Sequence, residues 1–290
     1  MSALERRLDR FGLLLALALV LTVGIGFALQ GSRPVDADMV WRMAGADQLY
    51  GAVWGADPLS RYVYPPVVTQ LVALLRPMGW VAFVVAWETL MFLALWAAAR
   101  MWAPLVLGLG LGATLLWGLD TPLANPVLLA LVGNVQSLVA AAIVIGMRRP
   151  AAWSAVLLTK VAPGIGLLWF VARGEWRRLG IAFGATAGIA LVSLAFSPAQ
   201  WADYVRFVVA NAGTPPPIDV IAVPLFVRTP LVCGAVAWAA RTNRPWVVPL
   251  AVAWASFALY TNSWISISIG ALPLWSMGRH ARRQASVVTQ

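Results

Sequence analysis

The chain has 290 residues, of which 61% are hydrophobic and only 11% are charged. In typical soluble domains about a quarter of the residues are charged, so this composition excludes an ordinary soluble protein. It indicates an all-α, polytopic transmembrane helical bundle. The net charge of +10 does not indicate a nucleic-acid partner, because the arginines lie at the ends of apolar runs, where membrane topology and lipid headgroups explain them.

Histidine and cysteine are nearly absent. The single His280 lies near the C-terminus and the single Cys233 lies in an apolar run. We therefore expect no histidine-based metal site, no Ser-His-Asp triad and no intrachain disulfide, and we predict neither a metal nor a cofactor.

The apolar runs predict about eight to ten helices, some of them partial, in a single integral membrane domain over residues 1–290. The first run, 11–30, follows three arginines and is longer than the apolar region of a signal peptide, so we interpret it as a retained span. The later runs are 64–75, 78–99, 102–118, 127–147, 151–172, 179–196, 220–240, 245–262 and 264–277.

Clusters of arginine set the predicted orientation. They lie at 148–149, 173–178, 241–244 and in the basic tail 279–290. The positive-inside rule places them, and the N-terminus, in the cytoplasm of a plasma-membrane protein. The first loop, 31–62, and the later loop, 197–219, then face outward.

One run does not fit this orientation as a single span. Residues 151–172 lie between two clusters that both favour the cytoplasm, and they are too few for two full helices at about 20 residues each. We therefore predict a pair of half-helices that turns near Lys160 and Pro163. Non-helical backbone at that depth is tolerated where it is buried or lines a cavity.

The first loop carries four aspartates directly behind the first run. Asp47 and Asp57 fit a solvated loop, since aspartate favours turns. Asp36 and Asp38 lie at the membrane edge, where an amphipathic surface helix around Trp41 to Tyr50 could hold a carboxylate as general base.

Polar side chains interrupt two other apolar regions. Tyr64 precedes Pro65 and Pro66, a pattern that is typical of a helix start and that could also contact a substrate. Asn134 and Gln136 could either form hydrogen bonds between helices or line a cavity.

Charged residues within apolar runs are candidates for function. Lys160 and Arg228 could bind a phosphate, although both could instead extend their charged ends to the membrane interface. Arg61 is a third candidate ligand for a lipid phosphate. Glu88 could pair with a neighbouring helix and has no assigned chemistry. The polar side chains of Tyr260 and Asn262, near the predicted outer face, could bind a polar ligand.

An ordered set of four motifs resembles glycosyltransferase family 87, integral membrane enzymes of the GT-C fold. The motifs are D-M-V-W from Asp38 with the following Ala44-Gly45, then Tyr64-Pro65-Pro66, then Gly133-Asn134-Val135-Gln136, then Lys160-Val161-Ala162-Pro163. Their order and spacing resemble the family over about residues 10–200. Beyond residue 200 the match is thin, and family members are commonly longer, closer to 400 residues.

The resemblance implies transfer of a hexose, mannose in many members, from a polyprenyl-phosphate carrier to an acceptor hydroxyl on a glycolipid or glycan. Asp38, or its neighbour Asp36, would be the base, and the reaction would invert the anomeric carbon. Lys160 and Arg228 would stabilise the leaving lipid phosphate. Two alternatives remain: a transporter or lipid flippase, and a non-catalytic subunit of an envelope-assembly complex.

Overall fold

The structure of the chain is a computed structural model, which describes residues 2–31, 33–46, 49–50, 62–117, 125–211, 223–255 and 261–278. Every regular element within these ranges is helical, which confirms the all-α class.

The helices follow one another with short connections. In chain order they are α1 (Ala3–Gln30), α2 (Val35–Met43), α3 (Pro66–Leu75), α4 (Gly79–Ala99), α5 (Ala103–Trp117), α6 (Pro126–Leu131), α7 (Gln136–Gly146), α8 (Trp153–Leu157), α9 (Leu168–Ala172), α10 (Trp176–Phe196), α11 (Pro198–Asn211), α12 (Leu225–Arg241), α13 (Val247–Trp254) and α14 (Thr261–Ser268). A last helical segment covers 271–278. Short 3₁₀ helices cover Arg76–Met78, Arg100–Trp102, Pro150–Ala152 and Ala162–Leu167.

Helix α1 covers the predicted first span and has well-defined ends. The Ser2 hydroxyl accepts a hydrogen bond from the Glu5 amide, while the Glu5 carboxylate accepts one from the Ser2 amide. This reciprocal pair satisfies amide groups that have no partner within the helix. Gly31, at φ 63°, ends the helix in the left-handed conformation that favours glycine.

The predicted break near Lys160 is confirmed. Helix α8 ends at Leu157, and the chain becomes helical again only in the 3₁₀ helix that starts at Ala162. The Thr159 hydroxyl donates to the Ala155 carbonyl at 2.6 Å and so satisfies an acceptor at the end of α8. Lys160 therefore lies in a short connection between two helical pieces.

Two predicted segments differ in the structure. The segment 197–219, predicted as a loop, is helical over α11, because Phe207 and Asn211 are buried against the rest of the protein. The surface helix of the first loop is α2, which starts at Val35 and ends at Met43, before most of the region where the sequence placed it. Its start is fixed by contacts with a distant turn, described below.

The buried apolar residues form two clusters, and α7 contributes to both. The first cluster joins α1, α2, α4 and α5 with the tyrosines of the first loop. The second joins α7, α8, α9, α12 and α13. On α7, Ala140 and Ala141 belong to the first cluster, while Val139 and Ile143 belong to the second. Helix α7 therefore connects the two halves of the core.

Two stretches of the described residues are long and apolar enough to cross a membrane, Pro66–Leu116 and Trp176–Phe196. The first is half buried and includes α3, α4 and α5. The second is α10, which buries only Ala182 and Ser193. Several large apolar side chains of α10 are therefore exposed, among them Phe183, Leu191 and Phe196.

Asn125 connects α5 to α6 through four hydrogen bonds. Its oxygen accepts from the amides of Val127 and Leu128, at 3.0 and 3.3 Å, and so caps α6. Its amide donates to the Gly110 carbonyl at 2.8 Å and to the Thr114 hydroxyl at 2.7 Å. The side chain is 1% exposed, so these bonds have little competition from water.

We expect Asn125→Ala to lower the free energy of unfolding by about 1–3 kcal/mol, because buried acceptors and helix amides lose their partner. Thermal unfolding of the detergent-solubilised protein measures the loss. Thr114→Val is the matched control, since it removes only one of the four bonds. Equal melting temperatures for the two variants would contradict this role of Asn125.

Candidate functional site

The first turn of α2 is bound to the connection between α6 and α7. The Val132 carbonyl accepts hydrogen bonds from the backbone amides of Asp36 and Ala37, at 3.0 and 3.2 Å. The Ala37 side chain is fully buried at this contact. A carbonyl from a distant part of the chain thus satisfies amides that an isolated helix would leave without a partner.

Gly133 allows this close approach. Its φ is +79°, and a Cβ at this position would lie 2.8 Å from the Ala37 Cβ and 3.0 Å from Trp87 Cδ1. Both the backbone conformation and the space therefore require glycine. The Trp87 indole donates to the Gly133 carbonyl at 2.8 Å, which fixes the turn against α4.

Asn134 connects α2 to α7. Its amide nitrogen donates to Asp36 Oδ2 at 2.7 Å, across 98 residues of sequence. Its side-chain oxygen accepts from the Gln136 amide at 3.1 Å, at the first residue of α7. Gln136 itself is 1% exposed, so it lies inside the bundle at this end of the helix. The Asn134 side chain therefore orients the Asp36 carboxylate.

Two further charged residues are grouped with Asp36. Lys160, partly buried at the break after α8, interacts electrostatically with Asp36. Glu88 of α4 also interacts electrostatically with Asp36. The Glu88 side chain is 0% exposed, and within the described residues neither of its carboxylate oxygens has a hydrogen-bond partner. The group of Asp36, Glu88, Asn134 and Lys160 is called the acidic cluster below.

Asp38 has a different environment from Asp36. Its Oδ1 pairs with Arg33 at 2.9 Å, and its Oδ2 pairs with Arg42 at 2.6 Å, one turn along α2. Both carboxylate oxygens thus lie in ion pairs, and the side chain is 13% exposed. Of the two aspartates predicted as candidate bases, Asp36 is the one placed in the acidic cluster.

Tyr64 lies in a group of aromatic side chains rather than at an open surface. It is 4% exposed and packs edge-on against Tyr62, at 5.5 Å between ring centroids. Tyr50 donates its hydroxyl to the Tyr64 carbonyl at 2.8 Å, and Tyr62 donates to the Pro65 carbonyl at 3.3 Å. Burial raises the pKa of Tyr62 and of Tyr50, so both phenols stay protonated and act as donors.

Arg228 belongs to the other half of the core. It lies on α12, is 2% exposed, and donates to the Trp254 carbonyl at the end of α13, at 3.2 Å. Helices α12 and α13 pack against each other in the second cluster. Among the described residues, no hydrogen bond or ion pair supports the prediction that Arg228 and Lys160 bind the same phosphate.

Several predicted residues fall outside what the structure describes. Arg61 and Tyr260 are among them, as are the loop residues Asp47 and Asp57. Asn262 lies in α14, and its side chain is not described. In the described parts of the chain, no three His, Cys, Asp or Glu side chains are grouped so that they could hold a metal ion.

The sequence pointed to Glu88 without giving it a role. The signal was a single carboxylate within a long apolar run. Its proximity to Asp36 depends on the packing of α4 against α7 and on the attachment of α2 to the following turn. No spacing along the chain carries that information.

We expect Gly133→Ala to destabilise the protein by about 1–3 kcal/mol, because a left-handed backbone and a steric clash with Ala37 both oppose a Cβ. Gly174→Ala is the matched control: its φ is +67°, but nothing lies within 4 Å of the added carbon. Thermal unfolding in detergent compares the two. If Gly174→Ala costs as much as Gly133→Ala, the close contact with α2 has no energetic weight.

No protein-family model, curated protein or solved structure matches this chain.

Proposed function

We propose that this protein is a membrane glycosyltransferase of the GT-C type. It would transfer a hexose, with mannose as the first candidate, from a polyprenyl-phosphate carrier to an acceptor hydroxyl. The observation that carries the proposal is the meeting of polar residues from three segments that lie far apart in the sequence. Asp36 of the first loop is bonded to Asn134 and interacts electrostatically with Lys160.

A further motif of the resemblance leads into a helix that contacts α2. Tyr64, Pro65 and Pro66 lead into α3, and α3 packs against α2. A bundle that packed its helices without a common site would have no reason to bring an aspartate, an asparagine and a lysine together from three separate segments. Grouped polar residues in an apolar protein are the usual sign of a substrate site.

A membrane location is part of the proposal, and the outside of the molecule supports it. Helix α10 exposes large apolar side chains along most of its length. Helices α1 and α5 also expose leucines, including Leu14, Leu21, Leu109 and Leu115. Exposure of such continuous apolar surface to water is unfavourable, so this surface is better suited to contact with lipid.

In this proposal Asp36 is the general base. The carboxylate that Asn134 orients accepts the proton of the acceptor hydroxyl. The acceptor oxygen then bonds to the anomeric carbon from the face opposite the carrier, and the bond from that carbon to the phosphate oxygen breaks. The configuration of the sugar is therefore inverted.

In the proposed mechanism Lys160 acts on the leaving group. The broken bond leaves its electron pair on the carrier phosphate, so negative charge increases there in the transition state. An ammonium group in a partly buried position stabilises such charge better than one in water. Within the described residues, no carboxylate pairs with Lys160 within 4.0 Å, so its charge is not neutralised by an ion pair.

Asp38 and Glu88 have supporting roles in this scheme. The ion pairs of Asp38 with Arg33 and Arg42 are local to α2 and the residues just before it, and they stabilise its exposed side. Glu88 is too deeply buried to meet a substrate, and its influence on Asp36 is electrostatic. This differs from the family resemblance, in which the residue at position 38 is the base.

We expect Asp36→Asn to lower turnover by about 10² or more, the usual effect of losing a general base. Asp38→Asn should cost less, because it removes ion pairs and no proton acceptor. Turnover is measured with the purified chain as release of polyprenyl phosphate from polyprenyl-phosphate-mannose, with envelope lipids supplied as acceptor.

Asp203→Asn is the matched control, since this exposed aspartate pairs with Arg206 on α11 outside the acidic cluster. It should leave turnover unchanged. Wild-type turnover in Asp36→Asn would remove Asp36 from the mechanism, and a larger loss in Asp38→Asn would restore Asp38 as the base.

A transporter or flippase is the second candidate, because the helix break at Lys160 is also a feature of transporters. Reconstituted vesicles separate the two. Movement of a polyprenyl-phosphate sugar across the bilayer that is lost in Lys160→Ala and retained in Asp36→Asn would favour transport. Transfer that requires Asp36 would favour the enzyme.

A further inference from the structure

Arginines from two of the predicted cytoplasmic clusters, 148–149 and 173–178, line one cavity of about 530 Å³. Arg148 comes from the end of α7, while Arg173 and Arg178 flank the start of α10. The segment 242–245 after α12 and Met277 near the C-terminus close the other side. Segments that are well separated in sequence thus place their cationic side chains around a common space, called the basic cavity below.

The arginines of the basic cavity are positioned by specific contacts. Arg173 donates through Nε to Glu175 at 2.7 Å and through Nη1 to the Ala240 carbonyl at 3.1 Å, and its guanidinium lies over the Trp169 ring. Arg178 pairs with the other oxygen of Glu175 at 3.0 Å. Two guanidinium groups therefore share one carboxylate.

Arg148 has no acidic partner among the described residues. Within the described part of the chain, its guanidinium donates one hydrogen bond, to the Met277 sulfur at 2.6 Å. Since Glu175 is the single acidic residue in the lining, the three arginines leave the cavity with excess positive charge. Arginine binds phosphate with paired N–H groups, so this arrangement suits a phosphate oxyanion.

The lining of the basic cavity also contains apolar side chains. They come from Met147, Trp169, Pro245 and Leu274. A phosphate that carries an apolar group could therefore place its charge among the arginines and its carbon atoms against these side chains. Basic pockets between helices at the cytoplasmic side of membrane proteins have this character.

We propose that the basic cavity is a binding site for a phosphate group, and that the phosphate belongs to the headgroup of an anionic lipid. The site is separate from the acidic cluster, and the proposal does not depend on the transferase activity. Free phosphate offers the same oxyanion without the apolar part, so the experiment must distinguish the two sources.

The chain offers a closely matched pair of variants. Arg148→Gln combined with Arg178→Gln removes two charges that line the cavity and leaves the bonds of Arg173 intact. Arg149→Gln combined with Arg177→Gln removes two charges from the adjacent positions, which are exposed and do not line it. Both double variants change the net charge equally at the same end of the protein.

Native mass spectrometry of the full chain from nonionic detergent would count bound phosphatidylglycerol and phosphatidylcholine as each lipid is titrated. We expect the wild type to retain phosphatidylglycerol in preference to phosphatidylcholine. R148Q/R178Q should weaken retention of phosphatidylglycerol about thirtyfold, since each basic residue near an anionic lipid contributes roughly a factor of five in affinity. R149Q/R177Q should weaken it no more than a few fold.

Competition with inorganic phosphate identifies the source of the ligand. Displacement of the lipid only at a large excess of phosphate supports the lipid headgroup, while displacement at comparable concentrations supports free phosphate in the same cavity. Arg148→Gln alone, which removes a single sulfur contact, tests the site without risk to folding and should cost about fivefold. Equal losses in the two double variants, or equal retention of both lipids by the wild type, would overturn the proposal.

Discussion

The attachment of α2 to the turn after α6 is the contact on which the arrangement of the acidic cluster depends. A carbonyl at Val132, a left-handed glycine at position 133 and the Asn134 amide together bind the first turn of α2. Each bond alone contributes about 1 kcal/mol. Their main effect is on orientation, because together they fix the direction of the Asp36 carboxylate.

The acidic cluster and the basic cavity are two groups of charged residues with different character. The acidic cluster combines two carboxylates with the single lysine of the chain, and the strength of their interaction follows from burial. The basic cavity has an excess of arginines with exposed edges, so its attraction for an anion is weaker for each contact and depends on salt. One group suits chemistry on a bound substrate, and the other suits reversible binding of a headgroup.

The proposed transferase site and the proposed lipid site would bind different phosphate-bearing lipids of the same membrane. Under the proposal, a carrier lipid presents its phosphate to Lys160, while bulk anionic lipid meets the arginines of the basic cavity. The exposed apolar side chains of α10 would hold the protein in the bilayer, where both lipids are found. Separate phosphate sites would keep abundant lipid from competing with the sugar carrier.

The amino-acid sequence by itself determined the helical class, most helix positions and the break at Lys160, because apolar runs, prolines and charge clusters act over short distances. It also identified Asp36, Asn134 and Lys160 as candidates. Only the tertiary structure decided that Asp36 joins these residues while Asp38 pairs with Arg33 and Arg42. It alone placed Arg228 with α13 and brought Glu88 into electrostatic interaction with Asp36. Neighbouring residues on a helix point in different directions, and only the packing of distant segments decides which direction leads to a site.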